Sequence, residues 1–154
     1  MGTDIVKAGQ GRAFWVVGDL YTILAGGEET GGAYALIHGV VPPGGGPPHH
    51  IHRREDEAFY VLEGQLAFEV EGRRIAAAAG DWITLPRNTL HHFKNIGPAP
   101  AKVLILVRPS GLEKFFAEVG QPVTDRSAPP SPDIEKLLAV APRYGLEIRV
   151  GPKG

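Results

Sequence analysis

The 154-residue sequence predicts an all-β fold, a sandwich or barrel of short strands, followed by two short helices. Three observations carry this. Glycine and proline are abundant, at 21 and 14, yet they follow no collagen-like period and instead punctuate short β-branched and aromatic runs. Turn signals recur every ~8–12 residues, the spacing of a β-sandwich or barrel. Beyond residue 110 the apolar spacing changes to that of helices.

Taken in order, Ala13 to Val17 is a short apolar run that ends at the Gly18-Asp19 turn signal. Leu20 to Leu24 is a second strand, stopped by Gly26-Gly27, and Ala33 to Val41 is a third. Between them, the EETGG run reads as a loop. Residues 42–48 hold four prolines and three glycines and cannot form regular structure. Strands then follow at Glu57 to Leu62, Leu66 to Val70, Arg73 to Ala77, Trp82 to Leu85, His91 to Lys94 and Ala101 to Val107. Leu112, Phe115, Phe116 and Val119 share one helical face, with Gly120 as the stop. After a Pro/Ser-rich connection, Ser131 is the expected N-cap and Pro132 the first residue of a second helix. Ile134, Leu137, Leu138 and Ala141 are its expected apolar face, and Leu146 to Val150 is a terminal strand or tail. Both helices are expected to pack on the outside of the barrel, which spans about residues 10–108 of one domain covering 1–154, with the helical extension over about 110–154.

Bulk chemistry narrows the function. Net charge is −1 and no Lys/Arg stripe stands out, so no nucleic-acid partner is expected. The longest apolar run, Val103 to Val107, is too short to span a bilayer, and the N-terminus has no signal-peptide pattern, so a cytoplasmic protein without a membrane partner is expected. With no cysteine, any metal site must use nitrogen and oxygen ligands.

One segment, GGGPPHHIHRREDEAFYVLEG, concentrates those ligands. His50 and His52 are two apart, so in a strand both imidazoles face the same side. Glu57 heads a face it shares with Phe59 and Val61, and a carboxylate there is costly without a partner such as a metal ion. Downstream, in GDWITLPRNTLHHFKN, His91 shares a face with Phe93 after the Pro86/Asn88 turn. Three imidazoles and one carboxylate suit one divalent transition-metal ion, Fe, Mn, Co, Ni, Cu or Zn, with coordination positions left open. His49 and His92 point to the opposite face by strand alternation. His38 reads as a core or interface histidine, Phe68 and Trp82 as core, and Phe59 and Phe93 as candidate pocket walls.

These two segments resemble the cupin motifs. Gly44, His50, His52, Glu57 and Gly64 match Gly-x5-His-x-His-x4-Glu-x6-Gly, and Gly80, Pro86, His91 and Asn95 match Gly-x5-Pro-x-Gly-x2-His-x3-Asn. The one departure is Asn88 where the family has glycine, and asparagine tolerates the left-handed turn conformation. The resemblance implies a cupin double-stranded β-helix, a jelly-roll barrel, with His50, His52, Glu57 and His91 as metal ligands. The stretches EETGGAYAL, PPGGGPPHHIH and RYGLEI look like single-domain cupins of the quercetin 2,3-dioxygenase-like group.

That resemblance implies a metal-dependent dioxygenase acting with O2 on a small enolic or phenolic, flavonol-like molecule. Glu57 would be either a ligand or the catalytic general base, the latter only if burial raises its pKa from the ordinary ~4.3. Two rivals use the same fold: a metal-assisted isomerase, epimerase or lyase of small sugars or acids, and a binding module without turnover. The former should need Lys or Arg inside the barrel, and Arg73, Arg74, Lys94 and Arg108 alternate poorly with inward positions. A homodimer is expected, with Ala13 to Val17 pairing to an edge strand of the other subunit.

Overall fold

The structure, a computed structural model, describes residues 2–149. Its strands are β1 (Arg12–Val16), β2 (Asp19–Ala25), β3 (Ala35–Val41), β4 (His49–His52), β5 (Asp56–Glu63), β6 (Gln65–Val70), β7 (Arg73–Ala78), β8 (Trp82–Leu85), β9 (His91–Asn95), β10 (Ala101–Arg108), β11 (Gln121–Pro122) and β12 (Leu146–Arg149). They form two antiparallel sheets, ordered β11-β1-β2-β3-β10-β5-β8 and β12-β4-β9-β6-β7. The sheets face each other as a jelly roll, so the all-β expectation holds. No helix among the described residues is long and apolar enough to cross a membrane.

Strand alternation builds the core. Tyr21 and Ile23 of β2, Ile37 and Val41 of β3, Val103, Ile105 and Val107 of β10, and Phe59 and Val61 of β5 all point inward. They meet Leu66 and Phe68 of β6 and Phe93 of β9 from the other sheet. Phe59, Phe68 and Phe93 form a triangle with ring centroids 5.2 to 5.6 Å apart, tilted or edge-on, the geometry aromatic quadrupoles favour. The opposite parity faces outward. Tyr60 lies there, and so does Trp82, 57% exposed, which corrects its expected place in the core.

Motif residues shape the turns. Asn88 adopts φ 68°, the left-handed conformation its family position requires. Asn95 is buried, its amide donates to the carbonyls of Val41 and Ala99 at 2.9 and 2.8 Å, and its oxygen accepts from the Gly97 N–H. A Cβ at Gly46 would collide with the Phe93 carbonyl, so glycine lets the 42–48 segment cross β9.

Several expectations are corrected. EETGG is not wholly a loop: Gly27–Thr30 make one helical turn, α1, in which Glu29 reaches back to the Gly26 N–H. The first long helix, α2, is Leu112–Val119 as expected, with Gly120 at its end. The second, α3, is Ile134–Val140, and its N-cap is Asp133 rather than Ser131. The Asp133 carboxylate accepts from the Lys136 N–H at 3.1 Å, a cap at least as good as serine, and the helix docks with Leu137 and Val140 facing the protein. Ile134 and Leu138 are consequently exposed, and Ala141 joins the buried face. Beyond a 3-10 turn at Ala141–Tyr144, β12 pairs with β4. Val150, the last residue of the expected tail, lies outside the described residues.

The helices do not lie on the outside of the barrel. Leu112, Phe115 and Phe116 of α2 and Leu137 of α3 sit over its open end and wall a cavity that reaches the barrel interior. Buried Glu113 anchors α2 there, accepting from the N–H groups of Gly27 and Gly111 at 2.5 Å each. Strand β1 pairs on one side with β2, and on the other its Phe14 and Trp15 pair with β11 of the same chain, which takes up part of the edge expected to meet a second subunit.

Candidate metal centre

His50 and His52 sit on β4, between β9 and β12. Ile148 and Leu146 of β12 pair opposite the two histidines, and His91 of β9 pairs opposite His50 from the other side. Glu57 comes from β5 of the facing sheet. Each of the four side chains has a ligand atom within 4.8 Å of the other three, and all four residues are buried. The structure thus brings together every residue the motif designates.

Each ring is oriented by a contact on its far side. His50 Nδ1 is 2.8 Å from the Pro48 carbonyl, and His91 Nδ1 is 3.1 Å from the Thr89 carbonyl. Both carbonyls can only accept, so each Nδ1 carries a proton, which leaves Nε2 as the atom able to offer a lone pair to a metal ion. His52 Nδ1 lies 3.1 Å from Glu55 Oε1, which does the same for its ring. The Nε2 atoms of His91 and His52 then lie 3.1 and 3.4 Å from the two oxygens of Glu57. Outward-anchored Nδ1 atoms, inward lone pairs and one carboxylate make a donor set that fits a divalent transition-metal ion.

Glu55 was not anticipated. It is buried, 4% exposed, within a stretch that reads as a polar turn. Its one legible signal is its position three residues after His52.

Electrostatics follow from crowding. Burial, reinforced by the neighbouring His52 and His91, pushes His50 down to about 3, so it stays neutral and able to ligate. Burial alone would raise Glu57, but attraction to His52, the His91 hydrogen bond and the remaining imidazoles outweigh it and hold the carboxyl at about 2. Burial thus does not leave Glu57 raised, as a general-base role would require. His52 is lowered by burial, but Glu57 and Glu55 overcompensate and raise it.

Phe59 and Phe93 lie two residues beyond Glu57 and His91 on the same inward faces and line the cavity with His50, His52 and Glu57. The cavity measures about 60 Å³. Its other walls are apolar, Ile105, Leu112, Phe115, Phe116 and Leu137 among them, except for Tyr21 and one further acid, Asp19. Among the described residues, no Lys or Arg lines it.

His49 and His92 face away, as alternation requires, and form a separate surface cluster. Both Nε2 atoms lie 3.0 Å from Glu69 Oε2 on the outer face of the five-stranded sheet. Arg74 pairs opposite Glu69 and Arg149 opposite His49.

Comparison with known proteins agrees with this geometry. The family model described as Cupin domain matches residues 37–107, which carry all four candidate ligands. The chain is 29% identical over 128 residues to quercetin 2,3-dioxygenase of Bacillus subtilis, a match covering 83% of the chain and only 38% of that enzyme. Among solved structures, KdgF from Halomonas sp. superposes with a TM-score of 0.64 at 21% identity, covering 74% of this chain and 99% of that one. A predicted oxalate decarboxylase from Thermotoga maritima gives 0.62 at 21% identity, covering 69% and 99%. At such identities the structural likeness speaks for the fold alone. Fold, motif and four-residue cluster together define a β-barrel protein with a candidate metal site. In fold and motif the chain is similar to the cupins, whose domain model covers a little under half of it.

Proposed function

We propose that His50, His52, Glu57 and His91 hold one divalent transition-metal ion and that the protein is a dioxygenase-like oxidoreductase acting on a small enolic or phenolic molecule. The observation that carries this is the pairing of a preoriented His/His/Glu/His donor set with an apolar cavity that no Lys or Arg lines. A phosphorylated sugar or a polyacid would bring charge beyond what one bound ion engages, and the absence of Lys or Arg from the described lining weighs against the isomerase and lyase alternatives. The match to a quercetin dioxygenase points the same way. Because the chain spans 38% of that enzyme's length, its substrate is not carried over.

A bound ion would supply Lewis acidity and a template for two reactants. The protein's part is to orient and to exclude water. Pro48, Thr89 and Glu55 hold the three rings. Glu57 serves as a ligand, since a carboxyl held near 2 is a weak base at neutral pH. Phe59 and Phe93 form the dry floor against which a flat substrate would lie. Assembly as a homodimer belongs to the same reading, supported by the outward row Leu104, Tyr60 and Trp82, and is checked by sedimentation.

The test is O2 consumption by protein loaded separately with Fe, Mn, Co, Ni or Cu, over a panel of enols and phenols. Stoichiometric O2 uptake with product supports the proposal. Turnover without O2 would move the protein to the isomerase or lyase class, and tight binding without any product would make it a binding module.

A further inference from the structure

Asp19 opens β2 and is 1% exposed, although Gly18-Asp19 reads in the sequence as a turn. It shares an inward face with Tyr21 and lines the same cavity as His50, His52 and Glu57. The Tyr21 hydroxyl donates to Asp19 Oδ2 at 3.0 Å, and the Tyr21 ring stacks on Phe116 of α2 with centroids 4.6 Å apart. The other oxygen, Oδ1, is buried and has no hydrogen-bond partner. It is the single such side-chain atom among the described residues. A Cβ at Gly45 would stand 3.0 Å from it, so the glycine keeps that oxygen uncrowded.

A buried carboxylate oxygen without a donor is destabilising, and such groups persist where a ligand completes them. Around it, the cavity offers apolar carbon and no protein cation. A donor for that oxygen can come from a molecule bound in the cavity.

We propose that Asp19, held by Tyr21, is a substrate-binding residue that accepts a hydrogen bond from a hydroxyl or amine of the bound molecule. The substrate class follows: a small, mostly apolar molecule with two polar ends, one acidic oxygen directed to the four-ligand site and a second hydrogen-bond donor directed to Asp19. The inference rests on the reading of that site as a metal centre.

The test uses Co(II)-loaded protein and two matched pairs of probes, resorcinol and hydroquinone against their monomethyl ethers, which keep one phenol and lose the second donor. Calorimetry should show the wild type binding at least one diol about ten- to a hundredfold tighter than its ether. Asp19→Asn should lose or invert that preference, because its amide nitrogen donates where the carboxylate accepted, while Co(II) content and spectrum stay unchanged. Diols bound no better than ethers, or an undiminished preference in Asp19→Asn, would overturn the proposal. If the wild type takes up no Co(II), the metal reading fails by itself, and melting of the metal-free protein at pH 8 decides on Asp19. An oxygen reserved for a ligand makes Asp19→Asn melt higher, whereas a lower melting point assigns Asp19 to the fold and overturns the proposal.

Discussion

Glu55 Oε1 lies 3.1 Å from His52 Nδ1, and both residues are buried. The contact turns the opposite nitrogen of His52 toward Glu57, so a residue that never reaches the central point governs how one ligand presents itself there.

Glu55→Gln keeps the shape of that contact and removes its charge. Metal affinity should fall about 10–100-fold, the usual effect of losing such a partner, with the circular dichroism spectrum unchanged. Competition with a chromophoric chelator measures it. An affinity equal to the wild type would remove Glu55 from the site.

The pH dependence of stability should carry the mark of Asp19. Burial, only partly offset by the Tyr21 hydrogen bond, raises its carboxyl from 3.8 to about 7. The folded chain therefore holds this proton more tightly than the unfolded chain. The stability this contributes is fully present below 3.8 and is lost as pH rises to about 7. Asp19→Asn does not titrate, so its advantage over the wild type should be near zero at pH 4 and grow to at most about 4 kcal/mol above pH 7. Urea unfolding at several pH values shows this, and an advantage that is flat with pH would refute it.

Asn88 stands where the family uses glycine, and it holds φ 68°. Its side chain also accepts a long hydrogen bond of 3.3 Å from Arg53. Asn88→Gly should lie within about 0.5 kcal/mol of the wild type, while Asn88→Ala should cost about 1 kcal/mol, because a Cβ without a local polar group is poorly tolerated there. Thermal unfolding separates the two.

Much of this was legible because strands encode faces by parity. His50/His52, Glu57/Phe59 and His91/Phe93 each read correctly as residues two apart on one inward face, and His49 and His92 as residues turned outward. The turn at Asn88 was legible for the same local reason. What the sequence hid is non-local. Nothing in the apolar spacing of Leu112, Phe115 and Phe116 says whether that face packs outside the barrel or across its mouth; the anchoring of Glu113 to the distant Gly27 does. Asp19 follows a glycine and looks like a turn residue until β1, β2 and the 42–48 segment close over it. In α3, two good capping residues, Ser131 and Asp133, compete two positions apart, and only the docked helix shows that Leu137 and Val140 face the protein while Ile134 and Leu138 face solvent. Trp82 reads as core by composition, yet its strand places it on the outward face opposite Tyr60.

The central claim is that His50, His52, Glu57 and His91 are one metal site. Its most direct test is elemental analysis of protein purified without added metal or chelator, run beside His52→Ala and His92→Ala. About one equivalent of a first-row transition metal is expected in the wild type and in His92→Ala, and almost none in His52→Ala. Metal retained in His52→Ala but lost in His92→Ala would place the ion on the outer cluster with His49 and Glu69, and would contradict the account.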